Sequence, residues 1–363
     1  MVEVALRRKR KKCIADMHLL HFAWLNIWYA LARGKSGVKP TKIIFEPTNE
    51  SAPLMAPPTP GTSAPPGSGI YANATLMLVL TTLFWGGNAV AGKFAVGHVS
   101  PMVLTACRWL IAAFILLVAA RPFIVRDWPV IRANLGYLFL LGAFGFAIFN
   151  AALYSALKFT TAINVTILQA AMPMFIFVLN FAAFRTHVHW AQVVGYTVTL
   201  TGVVLTASQG EPAQLLGLTL NKGDLLMLVG ALIYATYSVA LRARPDIHWL
   251  SFLTALVVSA AIASLGLAAY EIADGDVIWP TTSTAWAVIA YTIVFPSLIG
   301  QALFARGVEL IGSNRAGLFL NLVPIFGSIL AVLLLGEAFQ IYHAVAMVLV
   351  IGGIALAQNL TPK

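Results

Sequence analysis

The sequence predicts an all-α integral membrane protein with ten transmembrane helices in two inverted five-helix repeats. The first observation is composition: 60% of the residues are hydrophobic and only 10% are charged, whereas soluble domains carry about a quarter charged residues. The second is a series of apolar runs after residue 69, each about as long as a helix that crosses a bilayer. The third is a pair of similar apolar segments, 162–186 and 313–337. Their central prolines, Pro173 and Pro324, lie 151 residues apart.

The charge balance is basic, because Lys and Arg outnumber Asp and Glu by 23 to 13, which gives a formal net charge of +10. In so apolar a chain, this excess indicates the topology of the connections rather than nucleic-acid binding. The two cysteines, Cys13 and Cys107, lie in the N-terminal tail and in an apolar run. A disulfide framework is therefore not expected.

Residues 1–70 are predicted to form a basic and then Pro/Ser/Gly-rich disordered tail. A basic block (7–12) precedes a moderately apolar stretch (17–32), which is typical either of a signal peptide or of an interfacial amphipathic segment. A third interpretation, which we favour, is that the natural start is Met55 and that residues 1–54 are upstream translated sequence. The following Pro/Ser/Gly-rich stretch cannot pack into a core, so the tail is not expected to carry the function.

After the tail, the sequence predicts a first five-helix repeat at residues 72–208 and a second at residues 221–360. The ten predicted spans are 74–94, 102–120, 134–156, 162–184, 190–207, 222–242, 249–270, 284–305, 314–335 and 341–359. Joints on one side hold Arg121, Arg126, Arg132, Arg185, Arg242, Arg244, Arg306 and Arg315, and those on the other side hold Lys93, Lys158 and Lys222. Because cytoplasmic loops carry the excess of Lys and Arg, both termini are predicted to be cytoplasmic.

The two halves also match at the 151-residue separation. When the halves are aligned at this separation, Gly202 aligns with Gly353, and Asn150 aligns with Gln301. Each half has an odd number of predicted spans, so the halves would enter the membrane from opposite sides. Inverted repeats of this kind are typical of secondary transporters, whose substrate site lies near the midplane between the halves.

Several motifs carry a resemblance to a known family. They are Phe84-Trp85-Gly86-Gly87-Asn88 with Lys93, Pro101 with Arg108, Tyr154-Ser155-Ala156-Leu157, Pro173, and segment 313–337 with its ending Leu335-Gly336-Glu337. In these motifs, over roughly residues 72–360, the chain resembles the EamA-type ten-span branch of the drug/metabolite transporter superfamily. The resemblance implies an inner-membrane transporter of small metabolites, in many members an exporter, with a cavity between the halves. One departure is Arg185-Thr186, which stands where the family has Gly-Glu.

Polar side chains inside apolar spans are candidates for function, because burying them in a bilayer is unfavourable. Arg108 lies about 10 Å into its span and would bind an anionic group bidentately; alternatively, it snorkels to the interface or bonds to helix ends. The amides would bind a neutral or zwitterionic ligand, or else form interhelical hydrogen bonds. The predicted substrate-binding residues are Trp85, Asn88, Arg108, Asn150, Tyr154, Gln169, Tyr234, Tyr237, Gln301 and Asn321.

Other residues in the spans have predicted structural roles. For each aromatic candidate, core packing is a simpler explanation than a cavity wall. Pro173 and Pro324 free backbone carbonyls and are predicted hinges, with a static kink as the alternative. Lys93 and Arg242 are predicted to anchor helix ends at the interfaces, and Glu337 is predicted to cap the span that follows it.

The acidic residues restrict the class of substrate. Asp224, Glu309 and Glu337 all lie near span ends, and a proton-driven pump for organic cations normally needs a carboxylate deeper in the membrane. A neutral, zwitterionic or anionic metabolite is therefore the expected substrate, with multidrug efflux as the alternative. An intramembrane enzyme is a remote alternative, because the sequence has no HExxH motif or Asp-rich cluster.

The expected partners are a small-molecule substrate and the lipid bilayer. No cofactor, metal or nucleic acid is expected. Both a monomer and a homodimer stay open, because the adjacent glycines Gly352 and Gly353 allow close helix contact.

Overall fold

The computed structural model describes residues 73–185, 189–211, 221–275, 277–312, 316–317 and 319–359; the predicted tail lies outside them. All regular structure in these ranges is helical. The helices are α1 (Ala74–Ala95), α2 (Pro101–Ala119), α3 (Arg121–Ala133), α4 (Leu135–Ala156), α5 (Ala162–Phe184), α6 (Trp190–Ala207), α7 (Lys222–Ala243), α8 (Trp249–Asp274), α9 (Ser283–Ile311), α10 (Leu322–Leu335) and α11 (Ile341–Asn359).

Eight of these helices, namely α1, α2 and α4 to α9, are long and apolar enough to cross a membrane, and α10 and α11 are shorter apolar helices. Large apolar side chains also cover the outside of the bundle: Phe114 is 68% exposed and Val348 is 72% exposed. Such a surface is stable in lipid rather than in water. The fold is therefore that of an all-α, multi-pass membrane protein, whereas the count of ten spans stays a prediction.

Helix α3 lies between two predicted spans, in a segment that was predicted to be only a short connection. It exposes Val125 (67%) and Trp128 (49%) beside basic residues, a pattern typical of a helix that lies in the membrane interface. Asp127 fastens α3 to α8, because its carboxylate accepts a hydrogen bond from the backbone N–H of His248 at 2.9 Å. A hydrogen bond from Arg126 holds the pKa of Asp127 well below its usual range, at about 2.

The two central prolines mark breaks rather than simple kinks. Helix α5 consists of two segments, Ala162–Gln169 and Met172–Phe184. Pro173 is therefore in the first turn of the second segment, where its missing N–H removes no intrahelical hydrogen bond. Pro324 likewise lies in the first turn of α10. Turn residues 170–171 interrupt α5 before Pro173, and turn residues 320–321 precede α10, so each proline follows a break in the helical hydrogen bonding, and the hinge role stays a prediction.

Three irregularities recur at the repeat distance. Matching π-helical segments occur at Ala143–Ile148 in α4 and at Ile293–Ile299 in α9, whereas a third, Ala331–Leu335 in α10, has no counterpart in α5. The breaks just described form the second pair. In the third pair, Arg185 and Gly336 both adopt the left-handed conformation, with φ of 51° and 68°. Departures from ideal helix geometry at matching places support a common origin for the two halves.

The two halves meet along α6 and α11, which pack through small residues. A Cβ atom on Gly195 would lie 2.5 Å from the carbonyl oxygen of Gly353, and one on Gly202 would lie 2.8 Å from that of Ala346. Residues with higher numbers on α6 contact residues with lower numbers on α11, so the two helices are antiparallel. Gly353 therefore packs within the chain, whereas a Cβ atom on Gly352 would meet no atom within 4 Å.

Replacing Arg185 with glycine is expected to stabilise the protein by up to about 1 kcal/mol. The left-handed conformation costs a residue with a Cβ atom about 1–2 kcal/mol, and the greater freedom of glycine in the unfolded chain offsets part of this gain. The measurement is thermal unfolding of the purified protein in detergent. Arg132→Gly, at an exposed position in the last turn of α3, is the control and should be destabilising. A lower melting temperature for Arg185→Gly would contradict the prediction.

Candidate functional site

Arg108, on α2, is buried among polar side chains of neighbouring helices and is only 4% exposed. Its Nη1 donates hydrogen bonds to Asn88 Oδ1 at 3.0 Å, Asn150 Oδ1 at 2.7 Å and Tyr154 Oη at 2.6 Å. Tyr154 in turn donates to Asn88 Oδ1 at 2.9 Å. The structure thus brings four of the predicted residues together, and the side chain does not snorkel to an interface.

Ser297, in α9, completes this set and was missed by the sequence analysis. Its hydroxyl accepts a hydrogen bond from Arg108 Nε at 2.7 Å. The only local signal was its position next to Pro296 in an otherwise apolar run. We call Asn88, Arg108, Asn150, Tyr154 and Ser297 the Arg108 cluster.

The two π-helical segments orient two acceptors of the Arg108 cluster. Ser297 donates to the carbonyl oxygen of Thr292, five residues earlier, at 2.8 Å, and Pro296 supplies no N–H to this turn. In the other half, Asn150 donates from Nδ2 to the carbonyl oxygen of Phe146 at 2.7 Å. In both cases, a bond to a backbone carbonyl at a π segment fixes the side-chain oxygen that faces Arg108. π segments often occur at functional sites for this reason.

The partners of Arg108 carry no negative charge. In the described part of the chain, the ion pairs are Arg126–Asp127 and Arg306–Glu309, and Arg108 belongs to neither. Burying a cation without a counter-ion is unfavourable unless hydrogen bonds, together with an anionic ligand that binds later, stabilise the charge. Neutral oxygens supply part of that compensation here. The site is therefore electrostatically suited to an anionic group.

The Arg108 cluster is closed in this structure. A cavity of about 40 Å³ lies between Tyr154 and the end of the bundle where α4 ends, and it also contacts Leu104 and Lys158. A single water molecule needs about 10–15 Å³ of such cavity space. This cavity can hold a few water molecules, so a metabolite would reach Arg108 only after the helices move apart.

An aromatic row extends from the Arg108 cluster. The guanidinium carbon of Arg108 lies 4.6 Å from the ring centroid of Trp109, which stacks on Phe146 at 5.1 Å. The row continues to Tyr237 and then to Tyr234, with centroid distances of 5.8 and 5.4 Å. Tyr237 and Tyr234 are therefore connected to the cluster through the rings of Trp109 and Phe146, and Trp109, Phe146 and Tyr237 are buried.

The remaining predicted residues lie apart from this hydrogen-bond network. Trp85 donates from Nε1 to the carbonyl oxygen of Pro296 at 3.1 Å, which supports the packing explanation for it. Nε2 of Gln169 is buried without a hydrogen-bond partner. Gln301 and Asn321 are partly buried, and in the described residues no hydrogen bond joins them to Arg108. The symmetry-matched amides Asn150 and Gln301 thus have different surroundings.

Charged residues at span ends hold helix termini. Lys93 donates to the carbonyl oxygens of Leu157 and Thr160 at 2.9 and 2.7 Å, which confirms its predicted anchoring role. The prediction for Glu337 is wrong: its carboxylate accepts from the backbone N–H groups of Ala162 and Ile163 at 2.8 and 3.0 Å. Glu337 therefore caps α5 instead of α11, because the N-terminus of α5 presents its free N–H groups to the carboxylate.

The Glu337 cap leads to a prediction about stability. Glu337→Gln is expected to lower the free energy of unfolding by about 1 kcal/mol, because it removes the charge that favours the N-terminus of α5. The measurement is thermal unfolding in detergent at low salt. Glu309→Gln is the matched control, since Glu309 is exposed and pairs with Arg306 on its own helix. An equal effect of the two substitutions would contradict a specific role of the cap.

Comparison with known proteins adds independent information. The model of the EamA-like transporter family matches residues 72–208 and again residues 221–358. The chain is 26% identical over 290 residues to the uncharacterized transporter YyaM of Bacillus subtilis, covering 80% of this chain and 94% of that protein. It is 23% identical to an S-adenosylmethionine/S-adenosylhomocysteine transporter of Chlamydia muridarum, covering 73% and 85% of the two chains.

Two further comparisons agree with these matches. A probable amino-acid metabolite efflux pump of Salmonella typhimurium is 22% identical, with 77% of this chain and 92% of that protein covered. A crystal structure that is 22% identical aligns with a TM-score of 0.55 over 80% of this chain and 98% of that one, which supports the fold. With both halves matched by one family model, the chain belongs to the EamA-like transporter family and is a membrane transporter, not an enzyme.

Proposed function

We propose that this protein is a secondary transporter that exports a small polar metabolite across the inner membrane by alternating access. The proposed substrate is amino-acid-like, or another neutral, zwitterionic or anionic solute. The observation that carries the proposal is the buried Arg108, which is surrounded by neutral oxygens and has no carboxylate partner in the described ranges. A substrate carboxylate would supply the missing charge and would match the planar guanidinium bidentately.

The proposed architecture is ten spans in two inverted repeats, with both termini in the cytoplasm. Three packing relations support it. Helix α2 packs along α8 and α6 along α11, so each of these pairs joins corresponding spans of the two halves. Helix α1 packs on α9 and α10, just as α7 packs on α4 and α5. When each helix is replaced by its counterpart in the other half, the same set of helix–helix contacts results. The antiparallel α6–α11 pair also has the geometry that an inverted repeat requires.

The proposed substrate-binding residues have different roles. Arg108 would bind the carboxylate, while Asn88, Asn150, Tyr154 and Ser297 would exchange their bonds to Arg108 for bonds to the ligand. The aromatic row, with Tyr234 and Tyr237, would face the apolar part of the ligand. Trp85, Gln169, Gln301 and Asn321 would line the remaining wall, and the breaks before Pro173 and Pro324 would act as hinges. A multidrug pump for organic cations is less compatible with this site, because a cation would be repelled by Arg108.

The names of two relatives are consistent with a substrate that carries a carboxylate. One is described as a probable amino-acid metabolite efflux pump and the other as a transporter of S-adenosylmethionine and S-adenosylhomocysteine. S-adenosylmethionine carries a carboxylate, the group that we propose for Arg108. The efflux described for the first relative supports export as the direction.

The test is transport by the purified protein in liposomes against a panel of labelled metabolites. Each amino acid that crosses is then compared with its carboxamide, which has nearly the same shape and lacks the carboxylate. We expect the amino acid to be transported and the carboxamide to be rejected by a factor of about 100 or more, as happens when a buried charged group is left unpaired. Equal transport of acid and amide would contradict the role of Arg108, and the absence of any transported solute would contradict the function.

A further inference from the structure

A second polar network lies outside the Arg108 cluster, where α5, α7 and α11 begin. Asp224, in the first turn of α7, is 1% exposed and accepts a hydrogen bond from Thr160 Oγ1 at 2.6 Å. Asn164 Nδ2, on α5, lies 3.4 Å from Asp224 Oδ2. Asn164 Oδ1 lies 3.1 Å from Nε2 of His343, which is 2% exposed. We call Asp224, Thr160, Asn164 and His343 the Asp224 network.

The tautomer of His343 follows from its second contact. Nδ1 of His343 accepts a hydrogen bond from the backbone N–H of Gln340 at 2.9 Å, so the neutral ring carries its proton on Nε2 and donates it to Asn164. The amide of Asn164 therefore connects two buried titratable side chains, Asp224 and His343, without direct contact between them.

The surrounding charges leave Asp224 without an ion pair in the described part of the protein. Lys93, on α1, donates to the carbonyl oxygens of Leu157 and Thr160. Glu337, at the end of α10, is engaged by the N-terminus of α5. Tyr342, on α11, is the neighbouring phenol, and Lys158 and Lys222 are exposed. The Asp224 carboxylate is thus held mainly by hydrogen bonds from Thr160 and Asn164.

The two groups of residues in the network belong to different halves of the chain. Thr160 and Asn164 come from the first half, and Asp224 and His343 come from the second. Any motion that separates the halves at this end would remove the donors from Asp224. It would also admit water to a carboxylate for which burial is the larger influence, and hydration favours the ionised form. Ionisation of Asp224 and opening of this end must then favour each other, and a bound proton must favour the closed end, because linkage is reciprocal.

We propose that the Asp224 network is a proton-binding site that keeps the outer end of the transporter closed while Asp224 holds a proton and releases it when Asp224 is ionised. The proposal deepens the proposed transport function and rests on its orientation, in which this end faces outward. It agrees with the closed path of this structure, where Leu104 lines the small cavity that leads to Tyr154 and is 0% exposed.

The test measures opening directly and needs no substrate. In a background without Cys13 and Cys107, Leu104→Cys is labelled from outside by a membrane-impermeant maleimide, and Trp279→Cys, at a 55% exposed position, is the reference thiol. With Asp224 intact, we expect the labelling rate of position 104 relative to 279 to fall at least tenfold as the external pH falls from about 8 to about 5. This fold-change corresponds to about 1.4 kcal/mol of differential proton binding.

The variants identify the titrating group. Asp224→Asn, which cannot ionise, is expected to label slowly at every pH, whereas Glu309→Gln, which changes an exposed acid, should keep the full pH response. His343→Gln, which retains a donor toward Asn164, should also keep a pH response if Asp224 is the group that binds the proton. Labelling that is independent of pH with Asp224 intact, or a full response in Asp224→Asn, would overturn the proposal. Transport of a metabolite into liposomes that persists while labelling does not respond to pH would leave the proposed function standing, so failure of this proposal is distinguishable from failure of the proposed function.

Discussion

Replacing Arg108 with methionine is expected to reduce transport of a carboxylate-bearing substrate by about 100-fold. The substitution keeps an unbranched stem but removes the guanidinium, which is the only charge of the Arg108 cluster, and losing one partner of a buried charge pair typically costs about 2–5 kcal/mol of binding. The measurement is the initial rate of uptake into liposomes. Arg108→Lys should also be strongly impaired, because an ammonium cannot reproduce the bonds from Nε and Nη1.

Two controls separate a loss of binding from a loss of folding. Arg306→Met removes an exposed arginine that pairs with Glu309, and it should transport at nearly the original rate. Arg108→Met should still unfold cooperatively above the assay temperature in a thermal scan, with a loss of about 1–3 kcal/mol because buried oxygens of Asn150 and Ser297 lose their donor. If Arg108→Met transported the substrate at the original rate, the site described here would be wrong.

Gly86→Ala is expected to destabilise the protein by about 1–3 kcal/mol, the usual range for overpacking a tight contact. A Cβ atom on Gly86 would lie 2.7 Å from the backbone nitrogen of Gly327 and 2.9 Å from the carbonyl oxygen of Val323. Both are backbone atoms, so rotation of a side chain cannot relieve the contact, and α1 must move away from α10. The measurement is unfolding in mixed micelles, followed by loss of helical circular dichroism.

Gly266→Ala provides the matched control for this prediction. Gly266 lies inside α8, and a Cβ atom there would meet no atom within 4 Å. Alanine favours the helix over glycine by up to about 1 kcal/mol, so this variant should unfold at the same denaturant concentration as the original protein or at a higher one. Similar losses of stability in both variants would show that the close approach at Gly86 is not the cause.

The sequence was sufficient to predict the membrane class, the family and most members of the Arg108 cluster. Apolar run length identifies spans, and polar residues inside spans are few, so Asn88, Arg108, Asn150 and Tyr154 were all recognisable as candidates. Their mutual contacts were not predictable, because they join parts of the chain far apart in sequence. Ser297 bonds to an arginine 189 positions away, and a serine in a span gives no local indication of such a partner.

The repeat was informative about the backbone and less informative about side chains. One pair of π segments, the helix breaks and the left-handed pair Arg185 and Gly336 recur at matching places, because they belong to the shared architecture. Asn150 and Gln301 do not have matching roles, since α2 contributes an arginine while the corresponding α8 contains no Lys or Arg. Glu337 was assigned to the wrong helix because a carboxylate can cap any nearby N-terminus, and proximity in space was not deducible from adjacency in sequence.

The α6–α11 pair also limits how the protein can change shape. Where glycines bring two backbones this close, sliding or separation would open gaps that no side chain can fill, and the cost grows with the length of the contact. Rotation about the line of contact avoids that cost. We therefore expect α6 and α11 to serve as a nearly stationary axis between the halves, so that displacements during a transport cycle increase with distance from it and are largest on the opposite side of the bundle.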